Sequence, residues 1–412
     1  MDKKKYYPWL VVGLLWVVAL LNYMDRQMLS TMQHSMQADI HELNQAEAFG
    51  ALMAVFLWVY GLVSPFAGIV ADRLSRKWLV VASLFVWSLV TYLMGYATSF
   101  NELYALRAIM GISEALYIPS ALALITDWHT GKSRSLAVGI HMTGLYMGQA
   151  VGGFGATVAA ALSWHTTFHW FGIIGIVYSV ALVALLHDSP KERLEALEER
   201  KTEKTKKLSV FHGLGVVLST WTFWVLLFYF AAPSLPGWAT KNWLPTLFSE
   251  SLGIPMSQAG PLSTITIAVS SFVGVIVGGV LSDRWVQRNL RGRVYTSAIG
   301  LGLTIPALLL LGFGHTLPTI VGAGLCFGVG YGMFDANNMP ILCQIIPAKF
   351  RATAYGVMNM TGVFAGAAVT QLLGKWSDGG SLGMGFAMLA AVVAAALALQ
   401  IVTLRPKTDN LE

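Results

Sequence analysis

Two pairs of charged residues stand inside otherwise apolar stretches of this 412-residue chain: Asp25 and Arg26 within "NYMDR", and Arg107 with Glu114 further on. An ionisable side chain in hydrocarbon costs about 2.5–3.5 kcal/mol even on the mild insertion scale, so each needs a partner or a water-filled cavity. The chemistry open to these residue types is narrow. A guanidinium presents parallel donors that fit a carboxylate bidentately. A carboxylate beside it in an apolar site can take up a proton and so release the arginine for another anion. Arg107 and Glu114 are seven residues apart, about 700° of helix, which puts them on one face two turns apart. Arg26 and Arg107 are expected at similar depth, where two guanidiniums repel unless an anion lies between them. The spacing therefore predicts Arg26 and Arg107 as an anion site, with Glu114 as the first proton carrier and Asp25 as the second. A charge-neutral network of the same four residues, holding two helices together, is the alternative. The small residues Gly111, Ser120 and Ala121 continue the Glu114 face and are expected to leave room for a cavity.

The elements that position these residues follow from composition. The chain is 55% hydrophobic and only 12% charged, whereas a soluble protein of this size carries about 25% charged residues. Apolar runs long enough to cross a bilayer as helices recur from end to end, with no period-two alternation of the kind a barrel strand would show. Twelve spans are predicted, at 8–30, 48–71, 78–98, 101–127, 135–162, 167–187, 216–249, 258–282, 294–313, 318–346, 352–377 and 382–404. With the N-terminus inside, 23 of the 27 Lys and Arg fall in inner loops and tails, so both termini are placed in the cytoplasm and the net charge of +6 is a topology signal with no nucleic-acid meaning. "MDKKKYYPW" runs into the first span without a small-residue cleavage site, which reads as a retained helix. Cys326 and Cys343 share one span and read as small apolar fillers, with no metal or disulfide role.

The spans repeat as two sixes. "GIVADRLSRK" after span 2 matches "GVLSDRWVQR" after span 8, and "RSLAVGIHMTG" entering span 5 matches "RATAYGVMNMTG" entering span 11. Two like-oriented six-helix units, 1–187 and 214–412, imply an axis along the membrane normal with the site between them near the midplane. The linker 188–213 carries an amphipathic helix pattern with a cationic end suited to the inner leaflet. Small-xxx-small faces, among them Gly144, Gly148 and Gly152, permit close helix approach, either static or sliding.

The second unit contributes Lys241, the repeat counterpart of Arg26, next to Trp238 and Asn242 and after "PSLPGW", which should interrupt the helix. Lys241 either lines the site or snorkels to the interface beside Trp243. Asp335 in "FDANNMP" falls opposite Glu114 and is a third candidate for titration or a hydrogen-bonded structural acid. Asn337, Asn359, Gln149, Tyr146 and Tyr60 are neutral polar groups at mid-membrane depth, suited to sugar hydroxyls or to helix–helix hydrogen bonds. His141, close to the inner side, fits a gate or loop contact. Asp72, Arg73, Arg76, Arg134, Asp283 and Arg284 lie too near water to bind substrate and are read as a cytoplasmic gate, with topology anchoring as the alternative.

The twelve-helix plan and the charged loop Gly68-Ile-Val-Ala-Asp72-Arg73-Leu-Ser75-Arg76-Lys77, echoed after span 8, resemble the major facilitator superfamily over essentially the whole chain. Ser75 stands where that family's loop has Gly. "NYMDR", the Arg107/Glu114 pair and "NWLPTLF" at 242–248 further resemble the anion:cation symporters, which include hexuronate, sugar-acid, sialic-acid and phosphate-type carriers. That resemblance implies anion binding at the span 1 and span 4 arginines and proton coupling at the two acids. The expectation is an all-α transporter: a monomer in a bacterial inner membrane that takes up an acidic sugar with protons and needs no cofactor. "NYxDR" with a span 4 Glu also occurs in Spinster-like lysolipid carriers, so lipid or drug export is the alternative. No HExxH or CxxC motif and no nucleotide loop is present, so an enzyme is not expected.

Overall fold

A computed structural model describes residues 3–129, 133–189, 215, 217–219, 221–346 and 351–406. The linker with its amphipathic pattern lies almost entirely outside these, as do the side chains of Asp72, Arg73 and Arg134. The first six spans are Lys3–Leu29, Ala46–Arg73, Arg76–Met94, Phe100–Ala115 with Tyr117–Trp128, Arg134–Gly152 with Gly155–Leu162, and Trp164–Leu185. The last six are Trp221–Leu252, Met256–Val286, Gly292–Phe313, Leu317–Asp335 with Asn338–Ile345, Arg351–Asp378, and Leu382–Thr403. Among the described residues, ten helices are long and apolar enough to cross a membrane, and the two parts of span 5, bent by 44°, make an eleventh. Span 7, rich in Trp and Pro, is the twelfth long helix.

Proline accounts for two of the three breaks. It has no N–H and its ring crowds the carbonyl four residues back. Pro119 thus releases Ala115 in span 4, and Pro340 releases Ala336 in span 10, where the two helices divide. The breaks fall directly after Glu114 and Asp335, so the two acids occupy equivalent places in the repeat.

Span 7 corrects an expectation. Although it contains Pro233, Pro236 and Pro245, it runs unbroken from Trp221 to Leu252. A freed carbonyl is satisfied from outside the helix: Lys241 O, which Pro245 cannot serve, accepts a hydrogen bond from Gln27 Nε2 of span 1 at 2.8 Å. Pro261 leaves the Ser257 carbonyl of span 8 in the same position, and Thr157 Oγ1 of span 5 donates to it at 2.7 Å. A third released carbonyl, Ala150 O at the span 5 bend, accepts from Thr264 Oγ1 of span 8 at 3.2 Å. Backbone groups in a membrane must be paired within the protein, and here the pairing joins the two bundles.

Spans 1 and 5, 2 and 11, 5 and 8, and 7 and 11 pack along one another. The ties between bundles cluster on the outer side and at mid-depth. Asp378 at the outer end of span 11 accepts from the Ala46 and Glu47 amides at 2.7 and 2.8 Å, capping span 2 from the other bundle, and Lys375 pairs with Glu47 at 3.0 Å. Asn359 donates to Ser64 Oγ at 3.3 Å near the middle. Further in, Tyr355 is 41% exposed, and Asp335 is exposed despite its depth in span 10. The passage between the bundles is closed on the outer side.

Candidate functional site

Span 1 supplies Asn22, Asp25 and Arg26, span 4 supplies Arg107 and Glu114, and span 2 brings Phe56 and Tyr60 between them. Arg26 Nε donates to Glu114 Oε2 at 2.5 Å, with Glu114 fully buried and Arg26 12% exposed. The pairing crosses helices, although Arg107 and Glu114 share a helix face. Arg26 also lies over three rings, 5.1 Å from the centroid of Tyr23, 4.8 Å from Phe56 and 4.9 Å from Tyr60. Arg107 lies 4.6 Å from the same Phe56 ring. Each cation gains from the negative ring face, and more so where water is excluded.

The two guanidiniums are incompletely satisfied. Arg107 is 3% exposed, and its one side-chain hydrogen bond among the described residues goes to the weak acceptor Met110 Sδ, at 3.1 Å. Arg107 Nε, one terminal nitrogen of Arg26 and Glu114 Oε1 are buried with no hydrogen-bond partner among the described residues. Buried donors left in this state are costly. Asp25 is 6% exposed and accepts from Thr91 Oγ1 of span 3 at 3.2 Å, with no ion pair among the described residues. The cavity expected beside Gly111 is not there. A side chain at 111 would meet the Phe56 carbonyl, because span 2 approaches along that glycine, and Ser120 and Ala121 are fully buried.

On the facing bundle, Lys241 Nζ sits over the Trp238 ring at 4.6 Å. It does not snorkel beside Trp243, which is fully buried and donates to Thr370 O at 2.9 Å. Asn338 Nδ2 donates to Asp335 at 3.2 Å. Asn242 is engaged within its own bundle, donating to Thr370 Oγ1 at 2.8 Å. Asn337 is fully buried and donates to Met333 O at 2.8 Å, leaving its Oδ1 unpartnered among the described residues. Tyr146 meets Phe272 edge-on at 6.2 Å, Gln149 is buried at 5% exposure, and His141 is fully buried 6.1 Å from the Tyr117 ring.

At the inner end, Arg76 pairs with Asp127 of span 4, while Asp283 and Arg284 are exposed. The two cysteines are free, and no group of three or more metal-type ligands occurs among the described residues. Phe56, Tyr23, Thr91 and Gln27 were missed by sequence reasoning. Phe56 had a signal, since it lies four residues before Tyr60 and so shares its helix face.

Fold and site together define a helical membrane transporter with a charged cluster inside its first bundle, on spans 1, 2 and 4. The chain matches the Major Facilitator Superfamily over residues 15–371, and it belongs to that family. It is 24% identical to a D-galactonate transporter of Escherichia coli O6:H1, with 93% of this chain and 92% of that protein covered. Identity is also 24% to a probable galactarate/D-glucarate transporter of Escherichia coli K12, covering 90% and 89%. It is 25% to a chloroplastic ascorbate transporter of Arabidopsis thaliana, covering 90% and 71%. Among solved structures, a bacterial homologue of the human lysosomal transporter Spinster, inward-facing and occupied, superposes with a TM-score of 0.79 at 19% identity over 99% of both chains. That likeness is one of fold.

Proposed function

We propose that the protein imports a small organic anion of the sugar-acid type together with protons, by alternating access between bundles 1–187 and 214–412, which the charged linker 188–213 joins. The observation that carries this reading is the pair of buried guanidiniums on one Phe56 ring, each with donors unmet by the described residues. A substrate carboxylate supplies the missing acceptor in bidentate form. The relatives' names agree in chemistry, since galactonate, glucarate and galactarate are polyhydroxy carboxylates. Tyr60, Tyr146, Gln149, Trp238, Lys241, Asn242, Asn337 and Asn359 would then handle hydroxyls or shape the passage.

Glu114 competes with the anion for Arg26. A proton on Glu114 removes that competition, so anion and proton bind together and leave together. Asp25, without an ion pair among the described residues, is the second proton site, and Asp335 the third. When the passage opens outward, Asp72, Arg73, Arg76, Arg134, Asp283 and Arg284 would draw together as the cytoplasmic gate. We place the protein as a monomer in a bacterial inner membrane. Lysolipid export has behind it the shared "NYxDR" and span 4 Glu and a likeness of fold, and the paired Arg26 and Arg107 argue against it.

Counterflow in proteoliposomes with galactonate, glucarate, galactarate and ascorbate tests the reading. Arg107→Ala should lose counterflow and accumulation, whereas Glu114→Gln should keep counterflow and lose accumulation driven by a pH gradient. Full activity in Arg107→Ala, or accumulation of all four acids without a pH gradient, would refute it.

A further inference from the structure

Outside the passage, at the inner ends of spans 8, 9 and 12, two adjoining hollows share the Trp285 side chain. The first, of about 460 Å³, is lined by Trp285, Tyr295, Ala298, Ile299, Leu397 and Ile401. These residues come from the first turns of span 9, the last turns of span 12 and the end of span 8, so by the span bounds the hollow opens at the inner edge of the hydrocarbon. The second, of about 450 Å³, is lined by Leu281, Arg284, Trp285, Gln287 and Arg288. It sits at the end of span 8 and the turn beyond, at the depth of inner-leaflet headgroups. Ile299 is 45% exposed, Ile401 43% and Val402 63%, so the face is open to lipid.

The arginines differ in what they do. Arg291 is spent on the fold: its guanidinium donates to Ile401 O and lies 4.9 Å over the Tyr295 ring, joining spans 9 and 12 behind the apolar hollow. Arg284 and Arg288 are exposed, and neither has an ion pair among the described residues. Asp283, the acid next to Arg284, does not line either hollow.

We propose that these hollows form one binding site for an anionic glycerophospholipid of the inner leaflet. Its phosphate lies between Arg284 and Arg288, Gln287 meets the headgroup, and an acyl chain lies against Trp285, Ile299 and Ile401. The order of polarity along the membrane normal argues for this occupant. A lipid with an anionic head has charge at the surface and hydrocarbon beneath, in register with the two hollows. Free phosphate would leave the apolar hollow empty, and a phosphatidylcholine would bring a cation against two arginines. Basic pockets between membrane helices on the cytoplasmic side suit acidic headgroups, and each Lys or Arg near the surface contributes about fivefold to their attraction.

The full chain is purified in detergent with equal amounts of phosphatidylglycerol and phosphatidylcholine, and retained lipid is counted by native mass spectrometry. Wild type should hold one phosphatidylglycerol that inorganic phosphate does not displace. Arg284→Gln with Arg288→Gln should lower that retention by about 25-fold, two arginines at about fivefold each, without changing the small retention of phosphatidylcholine. Ala298→Leu, which fills the apolar hollow and leaves both charges, should lower it as well. Arg405→Gln, which removes an inner basic residue outside both hollows, should not. The proposal is overturned by equal retention of the two lipids, by release with inorganic phosphate, by unchanged retention in Ala298→Leu, or by an equal loss in Arg405→Gln. Each variant's unfolding temperature, matched to wild type, separates loss of the site from loss of the fold.

Discussion

The hydrogen bond from Gln27 to the Lys241 carbonyl allows a test in which two substitutions should oppose each other. Gln27→Leu removes the donor, and Pro245 leaves the helix no amide to replace it. While the outer side is closed, the carbonyl is then a buried acceptor without a partner, at a cost of about 1–3 kcal/mol. Once the outer side opens, water reaches it and the cost disappears. The difference falls on the closed state alone and moves the equilibrium toward the outward-open form by about 5- to 150-fold. Pro245→Ala supplies an amide that draws the carbonyl back into its own helix. Alone it forfeits one bond between bundles, about 0.5–1.5 kcal/mol, since Gln27 retains Ser30 Oγ at 2.7 Å. Added to Gln27→Leu it cures the unmet acceptor, so the double variant should be less outward-open than Gln27→Leu. Spin labels on Glu42→Cys and Ser381→Cys, in a background without Cys326 and Cys343, report the outer separation of the bundles by pulsed electron resonance. A double variant at the sum of the two single shifts would refute the reasoning.

Further outcomes follow from the same contacts. Glu114→Gln leaves Arg26 without its buried partner, so the unliganded protein should be less stable by about 3–5 kcal/mol, with part of that loss recovered in thermal unfolding at saturating substrate. The substrate affinity of this variant should lose its dependence on pH, whereas wild type should bind more tightly as pH falls through the titration of Glu114; persistence of the dependence would remove Glu114 as the coupling site. Phe56→Leu removes the ring under both guanidiniums, at about 0.5–2 kcal/mol per contact, and should weaken substrate binding by about fivefold or more in equilibrium titration. Asp378→Ala uncaps span 2 from across the interface, worth about 0.5–2 kcal/mol, and should widen the outer spin-label distance; an unchanged distance would show the cap to be idle. Gly148→Leu would press on the span 1 backbone at Leu20 and should lower the unfolding temperature by the equivalent of about 1–3 kcal/mol.

The span ends were legible to within a few residues because hydropathy and Pro placement are properties of the local chain. Less could be read of how the spans are used. Pro233 and Pro236 of span 7 read as an interruption, yet the helix runs on unbroken, and the carbonyl that Pro245 releases is bound by a neighbouring helix. Gly111 read as room for a ligand and turned out to be room for the span 2 backbone. Both errors have one cause, since a missing donor or a missing side chain specifies only a space or an unmet group. Its occupant comes from elsewhere in the chain.

By itself the sequence determined the class of molecule, the number and orientation of its helices, the twofold repeat, and the few ionisable residues at membrane depth. Each follows from transfer free energies and charge asymmetry, quantities that sum along the chain. Only the tertiary structure decided the partners. Glu114 and Arg107 share a helix face, yet the ion pair forms from Glu114 to Arg26, 88 residues away. Two turns of helix separate the first two by about 10 Å, whereas crossing helices bring the other two into contact. Asp25 and Arg26, adjacent in "NYMDR", were assigned to different environments for the same reason: successive residues on a helix point about 100° apart, one toward Thr91 of span 3 and the other toward span 4 and the rings of span 2.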